Sequence, residues 1–217
     1  MFFNRAVARR EGPFPLVVGM TGVKLGDRVL QIGCAHGGRL AAIAAKVGLS
    51  GRVMAIVPDV ACAARVDKAS ARAGVLVETT VAPLTRLPAD DAAFDLVIVD
   101  DVDGSFGALP AEDRDQTIRD AARVVRPGGR AMVIGATPRQ GLSALFWRRP
   151  SGASLAASGR ASEALETAGF RGVRTLAERE GLVFIEGIKP RQAPGGEAGR
   201  ARDSGGAGRP GQAGRAG

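Results

Sequence analysis

The chain of 217 residues is long enough for one domain with a sizeable core and too short for two domains of ordinary size. Its 45% apolar and 24% charged residues are typical of a globular protein, and two cysteines exclude a disulfide framework and indicate a reducing, cytoplasmic setting. A net charge of +8 favours anionic partners, but the last 27 residues contribute +3 of it through five Arg against one Glu and one Asp.

The two ends of the chain are predicted to lie outside the folded domain. In residues 1–21 Pro13 and Pro15 interrupt a short apolar run, so we predict a soluble leader, and no stretch of the chain approaches a membrane span. Residues 191–217 have no aliphatic residue except Ala, which predicts a disordered Gly/Ala/Arg-rich tail. The tail also lacks the aromatic residues that single-stranded nucleic acids stack on, so nucleic acid is not an expected partner.

Between residues 22 and 190 the predicted elements alternate between strand and helix. Strands are predicted at 28–32, 53–57, 75–81, 94–101, 130–136, 172–177 and 182–188. Helices are predicted at 39–47, 60–73, 112–125 and 162–168, with a turn at 126–129. This order predicts one doubly wound, Rossmann-like α/β domain with a seven-stranded, mostly parallel sheet, a C-terminal antiparallel hairpin strand and helices on both faces.

Four segments of this domain resemble a known family. They are VLQIGCAHGG, LPADDAAFDLVIVDD, ARVVRPGGRAMVIGA and LETAGF, in that order. These segments resemble parts of class I S-adenosylmethionine-dependent methyltransferases of the type 11-like group. In that family the corresponding parts are the first strand with its glycine loop, the approach to strand four, the Pro-Gly-Gly turn with strand five, and the end of the domain. The resemblance implies S-adenosylmethionine as cofactor and methyl transfer to an unidentified small-molecule acceptor.

The resemblance also implies where the cofactor lies. In a doubly wound sheet, ligands bind at the carboxyl ends of strands where the strand order reverses, here at the loop after the first strand. The implied cofactor contacts are Gln31, Gly33, Cys34, Ala35, Gly37, Val57, Pro58 and Leu84. Gly33 and Gly37 would let the backbone approach the cofactor, although a tight strand-to-helix turn alone would also require glycine.

Asp100 and Asp101 end the fourth predicted strand at the same edge and are the predicted catalytic residues. Either could orient the acceptor or take its proton, or could cap the turn that follows, as could Asp103. We predict no metal site. His36 is either a cofactor contact or an exposed loop residue, and the LFWRRP cluster at 145–150 either contacts the acceptor or packs on the core.

The chain departs from the family where carboxylates are usual. Gln31 ends strand one, Val57 stands where an acid would hold the ribose hydroxyls, Pro83 follows strand three, and Ala35 replaces the middle glycine of the loop. Two hypotheses remain. The cofactor binds through backbone amides and apolar contacts, with Asp59 reaching the ribose, or the domain is a non-catalytic binding or scaffold protein. The oligomeric state and the acceptor do not follow from the sequence.

Overall fold

A computed structural model of the chain describes residues 14–137 and 154–191. Its strands are β1 (Arg28–Ile32), β2 (Arg52–Val57), β3 (Glu78–Val81), β4 (Phe94–Asp101), β5 (Val125–Ala136), β6 (Arg171–Arg179) and β7 (Leu182–Ile188). Its helices are α1 (Pro15–Thr21), α2 (Gly37–Val47), α3 (Val60–Ala73), α4 (Ala111–Val124) and α5 (Arg160–Thr167). None of the helices among these residues has the length and apolarity needed to cross a membrane. The LFWRRP cluster and nearly all of the predicted tail lie outside the described residues.

The seven strands form one sheet in the order β3-β2-β1-β4-β5-β7-β6. Strands β1 to β5 pair in parallel, and β7 pairs antiparallel with both β5 and β6. The predicted doubly wound fold with an antiparallel hairpin strand is therefore confirmed. The strand order reverses between β1 and β4, so the carboxyl ends of these two neighbouring strands form the topological switch point.

Two apolar clusters cover the two faces of the sheet. Strand β4 serves both, since Val97 and Val99 belong to the cluster beneath α4 and α5, while Leu96 and Ile98 belong to the cluster beneath α1, α2 and α3. These four side chains are at most 1% exposed. An unbroken apolar run, rather than an alternating one, is what a strand buried on both faces requires.

The segment 126–129 differs from its prediction. It continues β5 instead of forming a free turn, and the pairing register with β4 shifts between Phe94 and Leu96 to accommodate it. The amide of Gly128 donates to the Lys189 carbonyl at 2.9 Å, and the Lys189 amide donates to the Gly129 carbonyl at 2.8 Å. Hydrogen bonds to Lys189, the residue that follows β7, therefore hold these residues beside the sheet.

Helix α1 lies within the segment predicted to be a leader, yet it packs against the domain. Val17 is 2% exposed and Thr21 is fully buried. The helix ends at Gly22, whose φ of +55° favours glycine and where a Cβ would meet the Arg130 guanidinium at 3.2 Å. The packed part of the described chain therefore begins before residue 22.

Candidate functional site

The loop that connects β1 to α2 crosses the carboxyl end of β4. Gly33 has a φ of +77°, and a Cβ at this residue would lie 3.2 Å from the Asp100 carbonyl oxygen. The Gly33 amide donates to the Ile56 carbonyl of β2 at 2.9 Å. Both the backbone conformation and the close approach to β4 therefore require glycine here.

The carboxylate of Asp100 holds this loop in place. It is 2% exposed and accepts hydrogen bonds from the Ala35 amide at 3.1 Å and from Arg39 Nη2 at 3.1 and 3.2 Å. Gln31 Nε2 donates to the Gly33 carbonyl at 3.1 Å and approaches Asp100 Oδ2 at 3.4 Å. We refer to Gln31, Ala35, Arg39 and Asp100 as the loop latch.

In the loop latch, the Asp100 side chain has a structural role. Burial raises the pKa of this carboxyl above its usual range, while Arg39 and the amides of Ala35 and Val102 act in the opposite direction. Both carboxylate oxygens of Asp100 already accept hydrogen bonds from these groups. The geometry therefore favours a positioning role for Asp100 over the predicted role as a base. The sequence analysis missed Arg39, which is 61 residues from Asp100 and carries no local signal of burial.

Asp101 and Asp103 point to other partners. Asp101 is fully buried and accepts from the Gly107 amide at 2.9 Å and the Leu155 amide at 2.6 Å, so it ties the turn after β4 to the segment before α5. Asp103 accepts from the amide and hydroxyl of Ser105. The described residues include no group of three or more His, Cys, Asp or Glu side chains that could hold a metal ion. The contacts of Asp101 and Asp103 therefore agree with the alternative in which these carboxylates cap the turn after β4.

On the predicted ribose side of the site, the residues at the end of β2 are a buried valine and an aspartate that caps a helix. Val57 at the end of β2 is fully buried, and its carbonyl accepts from the Ala82 amide at 3.1 Å. Asp59 caps α3, with Oδ1 accepting from the Cys62 amide at 2.7 Å, and this hydrogen bond lowers the pKa of the Asp59 carboxyl. The expected reach of Asp59 to the ribose is therefore opposed by its bond to its own helix. Leu84 is half-buried against the core.

Three further loop residues have structural roles. A Cβ on Gly37 would lie 2.5 Å from the Arg65 carbonyl oxygen, so this glycine allows α2 to pack against α3. His36 is exposed and caps α2, its Nδ1 accepting from the Gly38 amide at 3.2 Å. Cys34 is 3% exposed, and burial raises the pKa of its thiol to about 12. These contacts agree with the alternatives stated above, in which Gly37 serves the turn into the helix and His36 is an exposed loop residue.

Comparison with known proteins finds similarity to methyltransferases. A family model described as a methyltransferase domain matches residues 29–129. The ubiquinone/menaquinone biosynthesis C-methyltransferase of Idiomarina loihiensis is 32% identical over 117 residues, which are 52% of this chain and 44% of that protein. The chain thus aligns with less than half the length of this relative.

Solved structures share the fold over most of the chain. A SAM-dependent methyltransferase from Aquifex aeolicus superposes with a TM-score of 0.64 at 19% identity, covering 81% of this chain and 93% of that one. The cyclase SpnF superposes with a TM-score of 0.61, also at 19% identity, covering 81% and 79%. The strand order described above and these likenesses show that the chain has the fold of class I S-adenosylmethionine-dependent methyltransferases, and the methyltransferase-domain match over residues 29–129 supports S-adenosylmethionine as the cofactor.

Proposed function

We propose that the protein is an S-adenosylmethionine-dependent methyltransferase that acts on a small-molecule acceptor. The observation that carries this proposal is the latched glycine loop at the switch point between β1 and β4, where doubly wound sheets bind their ligands. The match to the methyltransferase-domain model supports the choice of cofactor, and the loop is the place that we propose for it.

The residues at this edge fit the cofactor through backbone and apolar groups. Gly33, Ala35, Pro58 and Leu84 would hold it, and when bound it would supply an electrophilic methyl group. A carboxylate on the ribose hydroxyls would add charge-assisted hydrogen bonds of about 1.5–3 kcal/mol each, and Val57 makes none. We therefore expect the affinity to be weaker than in relatives with an acid at this position.

The latch and Asp101 prepare the edge for an in-line displacement. Because Asp100 and Arg39 already fix the loop, binding would not need to order it, and Asp101 fixes the segments at Gly107 and Leu155. Methyl transfer from a sulfonium depends chiefly on such alignment.

The two carboxylates also restrict the acceptor. Since Asp100 and Asp101 are both occupied by internal donors, an acceptor that ionises readily and is electron-rich suits the edge best. A phenol or hydroquinone ring has these properties. The quinone C-methyltransferase named among the relatives supports the same substrate class for this chain.

A second candidate function is binding without catalysis. It is favoured by the buried Val57 in place of the ribose acid and by the hydrogen bond that turns Asp59 towards α3. A cyclase also superposes on this chain, so the fold by itself does not determine the reaction.

Calorimetric titration of the full chain with S-adenosylmethionine and S-adenosylhomocysteine tests the proposal. We expect saturable binding that falls at least about tenfold in Ala35→Phe, which adds bulk within the loop, and not in the control Ala71→Phe on the exposed surface of α3. Transfer of labelled methyl to a phenol or hydroquinone would then establish catalysis. No saturation at millimolar cofactor would reject the methyltransferase, and binding without transfer would favour the non-catalytic module.

A further inference from the structure

Three exposed leucines lie at the edge of the sheet opposite the glycine loop. Leu25 is 73% exposed, Leu49 is 88% exposed and Leu76 is 78% exposed. They stand on the turns before β1, after α2 and after α3, all near the amino ends of the strands. Single exposed leucines are ordinary, but three on separate turns at one edge form an apolar surface. We name these three residues the leucine edge.

Short contacts bring the three turns together. A Cβ on Gly48 would lie 2.7 Å from Leu25 Cδ1, so Leu25 touches the turn that carries Leu49. The amide of Gly26 donates to the Val47 carbonyl at 3.0 Å, which fixes the first turn to the end of α2. Leu49 and Leu76 line the same groove, of about 350 Å³, between the ends of α2 and α3.

Three cations lie within a few residues of the leucine edge in the chain. Lys24 precedes Leu25, Lys46 lies in the last turn of α2 and Arg72 lies in the last turn of α3. All three are exposed, and none forms an ion pair with another of the described residues. The nearby Arg52 is already paired with Glu78 at 2.6 Å. The edge therefore combines exposed apolar side chains with positive charge that has no ion-pair partner among residues 14–137 and 154–191.

We propose that the leucine edge docks on a bilayer that contains anionic lipids. The leucines would enter the boundary between headgroups and acyl chains, and Lys24, Lys46 and Arg72 would meet the phosphates. A second copy of this chain is a poorer occupant, because a symmetric contact would bring the same cations against one another. The glycine loop would face away from the bilayer, since it lies at the other end of the strands.

Vesicle sedimentation with the full chain tests the proposal. We expect binding to phosphatidylglycerol-containing vesicles that weakens as salt rises, and little binding to pure phosphatidylcholine. The triple variant Leu25→Ser/Leu49→Ser/Leu76→Ser should bind at least about tenfold more weakly, because burial of even one leucine shifts an equilibrium by about tenfold or more.

A matched control removes three exposed apolar side chains elsewhere. Val60, Val81 and Ile188 are 74%, 47% and 42% exposed, and their triple replacement by Ser should leave vesicle binding unchanged. Equal vesicle binding by the wild type and the leucine variant would overturn the proposal, because another part of the chain would then bind the vesicles. Failure to sediment with acidic vesicles at low salt, or a leucine-dependent dimer in sedimentation equilibrium, would also overturn it. None of these outcomes depends on cofactor binding.

Discussion

Replacing Arg39 by Met tests whether a buried ion pair holds the glycine loop. Arg39 Nη2 lies 3.1 Å from Asp100 Oδ1, and the two side chains are 11% and 2% exposed. In the variant, the donors to the Asp100 carboxylate that remain among the described residues are the amides of Ala35 and Val102 and the more distant Gln31. Removing one partner of a buried pair costs about 3–5 kcal/mol, which is a large part of a typical unfolding free energy of about 5–15 kcal/mol. We expect a loss of about 3 kcal/mol or more.

The chain offers a matched control for this measurement. Arg52 and Glu78 form an ion pair that is shorter, at 2.6 Å, but their side chains are 48% and 57% exposed. Arg52→Met should therefore lower the free energy of unfolding by less than about 1 kcal/mol. Urea denaturation followed by far-UV circular dichroism measures both variants. Equal small losses in the two would refute the idea that burial makes the latch important.

A double variant separates the pair from its surroundings. Arg39→Met combined with Asp100→Asn removes both charges, so neither ion is left buried without a partner. The double loss should be smaller than the sum of the two single losses, with a coupling of about 1–3 kcal/mol. Additive losses would show that Arg39 and Asp100 act independently.

Three more predictions concern other residues. Val57→Asp should lower the free energy of unfolding by about 3 kcal/mol or more, because it places an unpaired carboxylate at a fully buried position, whereas the apolar control Val57→Ile should lower it much less. An unchanged urea midpoint for Val57→Asp would show that this side chain reaches water. The Cys34 thiol, whose pKa burial raises to about 12, should resist iodoacetamide at mildly alkaline pH until the chain is unfolded, and fast labelling of the folded protein would contradict its burial. Lys189 Nζ donates to the carbonyls of Ala122 and Val125, each at 2.6 Å, so Lys189→Met should lower the free energy of unfolding by about 1–2 kcal/mol. An unchanged urea midpoint would show that water takes the place of the ammonium group at these carbonyls.

The architecture was predictable because its signals are local. The apolar run at 94–101 matches β4 at both ends, and the predicted strand at 182–188 matches β7. Strand β3 is an exception, since it begins at Glu78 where pairing with Met54 of β2 begins, three residues after the apolar run starts. The run at 75–77 satisfies a strand pattern, but a partner strand decides where pairing begins.

The sequence by itself determined the order of the elements from β1 to β7, the place of the glycine loop and the carboxylates at the end of β4. Only the tertiary structure decided what those carboxylates do, because Asp100 meets Arg39 across 61 residues and Asp101 meets Leu155 across 54. A carboxylate's role depends on the donors that folding brings to it and on whether water can reach it. Hydrophobic periodicity sets which strands and helices form, but it carries no information on contacts between side chains so far apart in the chain.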